Sequence, residues 1–384
     1  MAQALSPGGE RFDLAVVGAG ICGLAHALAA ARRGLRVVVI ERDAQANGAS
    51  IRNFGFVTVT GQQRGECWRR AVRSRDVWSE VAPAAGIRIE HRGLAVAVRR
   101  PEAVAVLETF RSTEMGEGCE LLPAREAFRR FPMLAGTKLR AVLWSPHELR
   151  VESREAIPAL ARWLAQAHGV TFYYQTLAHS IALPTVETTR GRIQAEACVV
   201  CPGDDFLGLF AEQFAAYGLR RCKLHMMRVS TPAAMPRFTA TVMSDLGLVR
   251  YLGYAELPEA ATLKHRLEAK QPLHLANGIH LIAVQSEDGS LVVGDSHHYG
   301  MTPDPFVADE VDELILDELR TVVALPEPAV SELWIGTYAS APDRLMLVDR
   351  PADRVRLVAI TSGTGASTSF AIAEEVIDDL MAER

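Results

Sequence analysis

The stretch FDLAVVGAGICGLAHALAAARRGLRVVVIERD, residues 12–43, decides the fold of this chain. Its apolar periodicity predicts a buried strand over Leu14–Val17 and, after a glycine-containing turn, a helix over Ile21–Arg33. Gly34 ends that helix, and the apolar run over Arg36–Ile40 predicts a second strand. Two strands joined by a helix form a βαβ unit with parallel strands, so the sequence predicts an α/β fold.

The turn between the first strand and the helix has the pattern G-x-G-x-x-G and consists of Gly18, Ala19, Gly20, Ile21, Cys22 and Gly23. Its glycines permit a tight turn, close approach of a pyrophosphate to the backbone and close packing of the helix on the strand. The phosphates then meet the free N–H groups at the start of the helix. Glu41 ends the second strand, where a carboxylate accepts hydrogen bonds from an adenosine ribose. The unit therefore favours FAD or NAD over NADP.

Two later segments favour FAD over NAD. The segment AEACVVCPGDD, residues 195–205, is predicted to be a strand that runs into a glycine turn. RLVAITSGTGASTSFAIAEEVIDDL, residues 356–380, predicts a strand, a glycine-rich turn and a helix whose N-terminus could face a ring oxygen of a flavin. A single NAD-binding unit would not need the chain to return twice to the same site.

Composition narrows the classes of partner. The length of 384 residues suggests two domains, and the formal net charge of −5 gives no electrostatic reason to expect nucleic acid. The start of the chain lacks a signal-peptide pattern and no apolar run would span a bilayer, so a cytoplasmic protein without membrane contact is expected. Cys198 and Cys201 lie in a strand pattern that points them to opposite faces, as buried, reduced residues. No metal site is predicted.

Two further motifs connect the chain with a known family. GASIRNFGFVTVTGQ, residues 48–62, follows the βαβ unit and is rich in small residues, and WIGTYASAPDRLMLVD, residues 334–349, ends an apolar strand in Asp349. With these segments the chain resembles the amine- and amino-acid-oxidising FAD family that includes D-amino-acid oxidase, glycine oxidase and monomeric sarcosine oxidase. The resemblance covers essentially the whole chain, most strongly at its two ends.

The resemblance implies a discontinuous, two-domain architecture. A Rossmann-like FAD-binding domain of the glutathione-reductase type would come from residues 1–90, 150–222 and 330–384. An α+β substrate-binding domain with a mixed or antiparallel sheet would come from residues 91–149 and 223–329. Within the second stretch, residues 278–300 alternate like paired strands joined by a turn at Asp288-Gly289.

The resemblance also implies contacts with FAD beyond the first glycine turn and Glu41. These expected contacts are Arg42, Ser50, Arg52, Asn53, Gly55, Ala178, Gly203, Gly336, Ser362, Gly363, Thr364, Gly365, Ala366 and Ser367. Gly336 stands where sarcosine oxidase has the cysteine that carries its flavin, so FAD is expected to be non-covalent. Tyr338 stands where D-amino-acid and glycine oxidases have an arginine that clamps the substrate carboxylate. A phenol cannot form a bidentate ion pair, which argues against a plain α-amino-acid substrate.

Several side chains are candidates for binding an anionic substrate: Arg52, Lys223, His225, His297, His298, Tyr299 and Tyr338. Lys223 and His225 share one face of a predicted strand, and of two adjacent histidines at most one faces the pocket. Arg52 could contact either the flavin or the substrate. Lys223 is the only catalytic candidate, as a cation that assists reoxidation of the flavin by O₂.

GASIRNFGFVTVTGQ, CPGDDF and GDSHHYG are similar to a narrower branch of the family, the oxidases associated with aminophosphonate breakdown. This resemblance implies oxidation of the C–N bond of 2-aminoethylphosphonate or its N-methyl derivative. The products would be an aldehyde, an amine or ammonia, and H₂O₂ from the acceptor O₂. An oxidase of sarcosine or iminodiacetate, an FAD dehydrogenase that donates to a carrier, and a hydroxylase reduced by NAD(P)H stay open. The sequence leaves the oligomeric state undecided.

Overall fold

The computed structural model describes residues 11–134, 138–325 and 327–383. In the first half of the chain the elements are β1 (Arg11–Val17), α1 (Ile21–Arg32), β2 (Val37–Ile40), β3 (Phe56–Val57), α2 (Glu66–Ala84), β4 (Ile89–Val98), α3 (Pro101–Arg111), β5 (Glu120–Pro123), α4 (Ala124–Arg130), β6 (Ala141–Val151), α5 (Ser153–His168), β7 (Thr171–Tyr173), β8 (Ala178–Ala182), β9 (Thr185–Thr188) and β10 (Gly191–Val200). In the second half they are α6 (Ala211–Ala215), β11 (Arg220–Ser230), β12 (Thr241–Ser244), α7 (Leu252–Ala255), α8 (Pro258–Lys270), α9 (Pro272–Ala276), β13 (Ile282–Gln285), β14 (Leu291–Gly294), β15 (His298–Gly300), α10 (Asp309–Val322), β16 (Ala329–Ser340), β17 (Met346–Ala352), β18 (Val355–Ile360) and α11 (Gly365–Ala382). Short 3₁₀ turns cover Ala49–Ile51, Glu114–Gly116 and Asp245–Val249.

The first sheet has the strand order β17-β18-β10-β1-β2-β7, and the hairpin β8–β9 continues it from β10. The strands from β18 to β7 are parallel, and β17 runs antiparallel to β18. The four residues of β2 are all buried, as is typical of parallel strands covered on both faces. Separate apolar clusters cover the two faces, and Cys198 and Cys201 lie in different ones. The predicted βαβ unit is confirmed.

The glycine turn fixes how closely α1 approaches the sheet. Gly18 has a φ of 102°, and its N–H donates to the Ile40 carbonyl at 2.8 Å. A Cβ on Gly23 would lie 1.9 Å from the Gly18 carbonyl oxygen, well inside van der Waals contact. Only glycine permits this spacing, which brings the N-terminus of α1 to the carboxyl end of β1.

The second sheet has the order β15-β11-β14-β13-β12-β4-β6-β3, with β16 added beside β11 and β5 beside β6. Its strand pairs are antiparallel except for β4 and β12, which run parallel, so the sheet is mixed. β13 and β14 pair with Val284 opposite Val292, and Gly289 between them has a φ of 89°. The hairpin predicted at Asp288-Gly289 and the predicted α/β fold with a second, mixed sheet are confirmed.

Two strands lie in a different sheet from the one that the proposed domain boundaries imply. β16 pairs along nearly all of β11 in the second sheet, and β3 pairs there with β6. In the structure the last chain segment that belongs to the first sheet therefore begins after Ser340. Ser340 forms an isolated β-bridge with Ser362. Residues 1–10 of the proposed first segment lie outside the described part of the chain. Within that part, no helix combines the length and the apolar character needed to cross a membrane.

Candidate active site

A cavity of about 590 Å³ is lined by residues of both sheets. The first sheet and its loops contribute Gly18, Gly20, Glu41, Gly203 and Gly363 among others, and the second contributes Leu224, Ile282, Asp295, Tyr299 and Tyr338. The end of the cavity at the first sheet therefore contains the glycine turn, and the end at the second sheet contains aromatic and charged side chains.

The N-terminus of α1 forms the phosphate-binding end of this cavity. The Ile21 N–H donates to Ser50 Oγ at 2.9 Å, and the first regular helical bond is from the Leu24 N–H to the Gly20 carbonyl. The N–H groups of Cys22 and Gly23 have no acceptor within the helix, because first-turn amides lack a preceding turn. Both residues line the cavity. This cradle suits a pyrophosphate.

Glu41 is fixed at the end of β2 by two backbone donors. Its Oε2 accepts from the Ala19 N–H at 2.8 Å and its Oε1 from the Asp43 N–H at 3.0 Å. Each carboxylate oxygen keeps a lone pair for a ribose hydroxyl. Arg42 is ion-paired with Asp205 at 2.8 Å, and both residues line the cavity.

Asn53 organises the loop that follows the βαβ unit. Its amide nitrogen donates to the Ala49 carbonyl at 2.7 Å, and its Oδ1 accepts from the Gly55 N–H at 2.6 Å and the Ser153 hydroxyl at 2.7 Å. A Cβ on Gly55 would lie 1.7 Å from the Val151 carbonyl oxygen. The side chain of Asn53 therefore holds the loop in place and is not free for a substrate.

Arg52 lines the cavity and is half-buried. Among the described residues its guanidinium has neither a hydrogen-bond nor an ion-pair partner, whereas its carbonyl accepts from Trp334 Nε1 at 3.2 Å. A Cβ on Gly336 would lie 3.2 Å from that carbonyl, so a larger residue there would crowd the loop. The backbone of Arg52 is therefore held in place, while its guanidinium is available to bind an anion.

The glycine-rich turn before α11 forms another wall. The Ala366 carbonyl accepts from Trp78 Nε1 at 2.8 Å, and Ser367 Oγ accepts from the Thr58 N–H at 2.9 Å. These bonds fix the N-terminus of α11 at the cavity, where its dipole favours negative charge on a bound ring. Of all the cofactor contacts proposed from sequence, Ala19 and Gly55 are those that do not line the cavity. The residues present therefore fit an FAD.

Arg250 lies at the other end of the cavity and was missed by the sequence analysis. It follows the 3₁₀ turn Asp245–Val249 after β12, and its guanidinium donates to the Tyr299 hydroxyl at 2.9 Å. No carboxylate pairs with it at salt-bridge distance in the part of the chain that is described. Tyr299 and Tyr338 lie opposite Cys222 from the two strands beside β11, which brings both phenols to one face. Burial raises the pKa of Tyr338 well above its usual value, so that phenol stays a donor.

Asp295 lies beside Arg250 with two histidines. His280 Nδ1 lies 3.2 Å from its Oδ1 and His297 Nε2 lies 3.8 Å from its Oδ2, and all three residues are buried. Burial raises the pKa of Asp295 to about 8, while the charge of Arg250 opposes that rise. Burial, followed by Arg250, lowers the pKa of both histidines well below the usual value. Both imidazoles are therefore neutral near pH 7.

Lys223, His225 and His298, three of the candidates for substrate binding, do not line the cavity. Lys223 pairs with Asp304 at 3.0 Å, His225 with Asp312 at 3.1 Å, and His298 with Asn277 at 3.0 Å. Cys222 and Leu224 lie on the face of β11 that meets the cavity. Because side chains alternate along a strand, Lys223 and His225 point away from the cavity. The structure thus brings together Arg52, His297, Tyr299 and Tyr338, and it corrects the position of the other three.

The proposed role of Lys223 in reoxidation changes accordingly. Because its ammonium is paired with Asp304 outside the cavity, Lys223→Met is expected to change the rates of flavin reduction and reoxidation by less than about twofold. Stopped-flow absorbance of the two half-reactions would measure this. Reoxidation slowed tenfold with unchanged reduction would return Lys223 to the oxygen site.

The fold matches those of known flavin enzymes. The structure superposes on glycine oxidase from Bacillus cereus ATCC 14579 with a TM-score of 0.78 and 17% identity, covering 97% of this chain and 96% of that one. Iminodiacetate oxidase from Chelativorans sp. BNC1 gives a TM-score of 0.72 and 18% identity, with 97% and 96% covered. At these identities the likeness establishes the fold.

The sequence itself matches a curated relative and a family. The relative is glycine oxidase from Geobacillus kaustophilus (strain HTA426), which is 27% identical over 208 residues. That alignment covers 50% of this chain and 55% of the relative, so about half of the relative's length is matched. The profile described as "FAD dependent oxidoreductase" matches residues 13–378. This match covers the strands of both sheets, and the chain therefore belongs to the family of FAD-dependent oxidoreductases.

Proposed function

We propose that this enzyme oxidises the C–N bond of a small anionic amine with non-covalent FAD and O₂, in the cytoplasm. Within that class we favour an aminophosphonate, either 2-aminoethylphosphonate or its N-methyl derivative. The products would be an aldehyde, ammonia or methylamine, and H₂O₂.

The observation that carries this proposal is the charge of Arg250. Arg250 is half-buried, lines the cavity and has no carboxylate partner among the described residues, so its guanidinium is available to an anionic ligand. It lies in the same cavity as the glycine turn, so an anion held there would also be near a flavin ring. Arg52 provides a second available cation in the same cavity.

The donors around Arg250 favour a phosphonate over a carboxylate. The guanidinium and the hydroxyls of Tyr299 and Tyr338 come from three different elements, and they suit the three oxygens of a tetrahedral dianion. A planar carboxylate would be matched better by an arginine fork at the position of Tyr338.

FAD, held by the glycine turn and Glu41, would supply the two-electron redox chemistry that links the α-C–H bond to O₂. The protein's contribution is positioning: Arg250 and the two phenols hold the anionic end. Leu224 and Ile282 give the cavity an apolar wall that excludes water from the reacting carbon. The amine end then points toward Asp295 and its histidines.

A secondary-amine acid is the second candidate. Its support is the structural likeness to iminodiacetate oxidase and glycine oxidase, whose substrates carry carboxylates. In that case Arg52 and Arg250 would share the carboxylate recognition. A dehydrogenase that passes electrons to a carrier would retain the same site but react slowly with O₂.

Anaerobic titration of the purified yellow protein tests these candidates. N-methyl-2-aminoethylphosphonate, 2-aminoethylphosphonate, sarcosine and iminodiacetate are each added while the flavin absorbance near 450 nm is followed. We expect the phosphonates to bleach the flavin, and we expect air to restore it with formation of H₂O₂. Ethylphosphonate, which has the anion but no amine, is the control that should perturb the spectrum without bleaching it.

Bleaching by the carboxylate amines alone would replace the phosphonate with the second candidate. Bleaching that air reverses only slowly, but a quinone reverses rapidly, would support the dehydrogenase. Bleaching by none of the four amines would contradict amine oxidation itself.

A further inference from the structure

We propose that Asp295, positioned by His280 and His297, binds the ammonium group of the substrate and accepts its proton. This inference rests on the proposed amine oxidation and assigns a second subsite to the same cavity. An amine arrives from water mainly as the ammonium ion, which has no lone pair and cannot release hydride from the neighbouring carbon. A base at the amine end would therefore extend the reaction to the abundant form of the substrate.

The cluster of Asp295, His280 and His297 offers hydrogen-bond acceptors to the cavity. His297 Nδ1 lies 2.8 Å from the Gly278 carbonyl, which can only accept, so this nitrogen carries the proton. Its Nε2 is then a bare lone pair, and it faces the Asp295 carboxyl at 3.8 Å. Two acceptors side by side, one of them a carboxylate, match the several N–H donors of an ammonium group.

The same cluster contains buried polar atoms without well-formed hydrogen bonds among the described residues. Asp295 Oδ1 and His280 Nδ1 are both buried, and neither has a well-formed hydrogen bond within the described residues. Buried polar atoms without partners destabilise the fold, and a catalytic or ligand-binding role is one reason that native proteins retain them. All three residues of the cluster line the cavity.

Two groups of opposite charge type, a guanidinium and a carboxyl, lie close together in the cavity. Arg250 supplies positive charge beside Tyr299, and the Asp295 carboxyl beside His297 becomes negative when a bound ammonium favours its ionised form. The His297 ring lies 6.5 Å from the rings of both Tyr299 and Tyr338, so the two poles are adjacent. A short zwitterion fits between them with its anion at one pole and its ammonium at the other.

The surroundings of Asp295 allow it to change protonation without competition. The titratable or charged groups facing it are Arg250, Tyr251, His280, His297 and Cys222. Burial raises the pKa of the Cys222 thiol to about 11 and raises the pKa of Tyr251 as well, so both stay neutral. A bound ammonium favours the ionised carboxylate, and its proton can then be taken up.

The proton balance is simple. An N–H bond of the ammonium breaks, its electron pair remains on nitrogen as the amine lone pair, and the proton forms an O–H bond on Asp295. The lone pair of His297 Nε2 is the next acceptor on the way out. No other reactant is needed for this step.

The test compares the pH dependence of anaerobic flavin reduction in the wild-type holoenzyme and in Asp295→Asn. We expect the variant to lose about 100-fold in kred/Kd near pH 7.5, with a loss that shrinks about tenfold per pH unit as free amine becomes abundant. Asp312→Asn is the matched control: Asp312 is also buried and paired with a histidine, but it lies outside the cavity. This control should keep the wild-type profile.

Ethylphosphonate binding checks that Asp295→Asn retains its folded cavity, and its Kd should be unchanged or lower because a negative charge has been removed. An Asp295→Asn profile that overlays the wild type would overturn the inference while leaving amine oxidation intact. A metal ion present at one per chain, lost in the variant and needed for reduction, would also overturn it. Failure of every amine to reduce the wild-type flavin would instead remove the proposed function beneath it.

Discussion

Gly23→Ala is expected to yield a protein that has lost most of its FAD. The added Cβ would lie 1.9 Å from the Gly18 carbonyl oxygen and 3.3 Å from Val16 Cγ1, so α1 would have to move away from β1. Backbone atoms cannot move aside as the end of a flexible side chain can. Overpacking of this kind lowers the free energy of unfolding by about 3 kcal/mol. Since the shift displaces the phosphate-binding N–H groups, FAD affinity should fall about 100-fold or more.

The ratio of the absorbance at about 450 nm, where flavin absorbs, to that at about 280 nm, where protein absorbs, measures the fraction of chains that hold FAD. Titration of the apoprotein with FAD gives the Kd for the cofactor. Gly300→Ala is the control, because its nearest neighbour would be an ordinary 3.8 Å contact and its backbone φ is not in the left-handed region. It lies outside the cavity and should purify yellow. A yellow Gly23→Ala with normal affinity would contradict the close packing of α1 on the glycine turn.

Arg250→Met is expected to weaken binding of the anionic group by about 100-fold or more. Removal of one partner from a charged hydrogen-bonded pair that the bound ligand covers costs about 3 kcal/mol or more, and a thioether offers no donor in its place. Arg250→Lys keeps the charge but loses the fork, so it should weaken binding by only about tenfold. The readout is the Kd of ethylphosphonate, which avoids any contribution from the amine end of the site.

Two further variants show which residues bind the anionic group. Tyr299→Phe removes the hydroxyl that Arg250 holds at 2.9 Å and should cost about 1 kcal/mol, roughly fivefold in Kd. Arg52→Met tests the residue favoured from sequence alone. If Arg52→Met abolished ethylphosphonate binding and Arg250→Met left it unchanged, the anion site would belong to Arg52.

The part of the protein that could be predicted from its sequence is the part whose causes are local. The βαβ unit over residues 11–40 follows from glycine spacing and from apolar runs of the right length, and the structure differs only at element ends. The Asp288-Gly289 hairpin was equally accessible, because its turn requires a positive φ that glycine adopts freely.

The face of β11 could not be predicted in the same way. Alternation correctly placed Lys223 and His225 together, but a period of two does not indicate which face meets a cavity. That is settled by register with other strands: Lys223 lies opposite His298, whereas Cys222 lies opposite Tyr299 and Tyr338. An apolar residue, Leu224, lines the cavity where basic residues were expected.

Arg250 and Asp295 carried no signal in the sequence. Arg250 follows a short 3₁₀ turn without a motif, and it reaches the cavity because β12 pairs in parallel with β4. Asp295 is part of GDSHHYG, in which the two histidines and the tyrosine that follow it are the more evident candidates. Among the described residues no carboxylate pairs with Arg250, and the buried Oδ1 of Asp295 lacks a well-formed hydrogen bond. Both are properties of the folded chain.

The parallel pairing of β10 with β18 has a consequence for how the protein is made. β18 and α11 are translated last among the described elements, yet α11 packs on α1 near the start of the chain. Ribosomes add about 5–20 residues per second, so the emerging N-terminal unit waits on the order of tens of seconds for its cover. We therefore expect capture of the cofactor to be a late, post-translational event that distinguishes finished chains from interrupted ones.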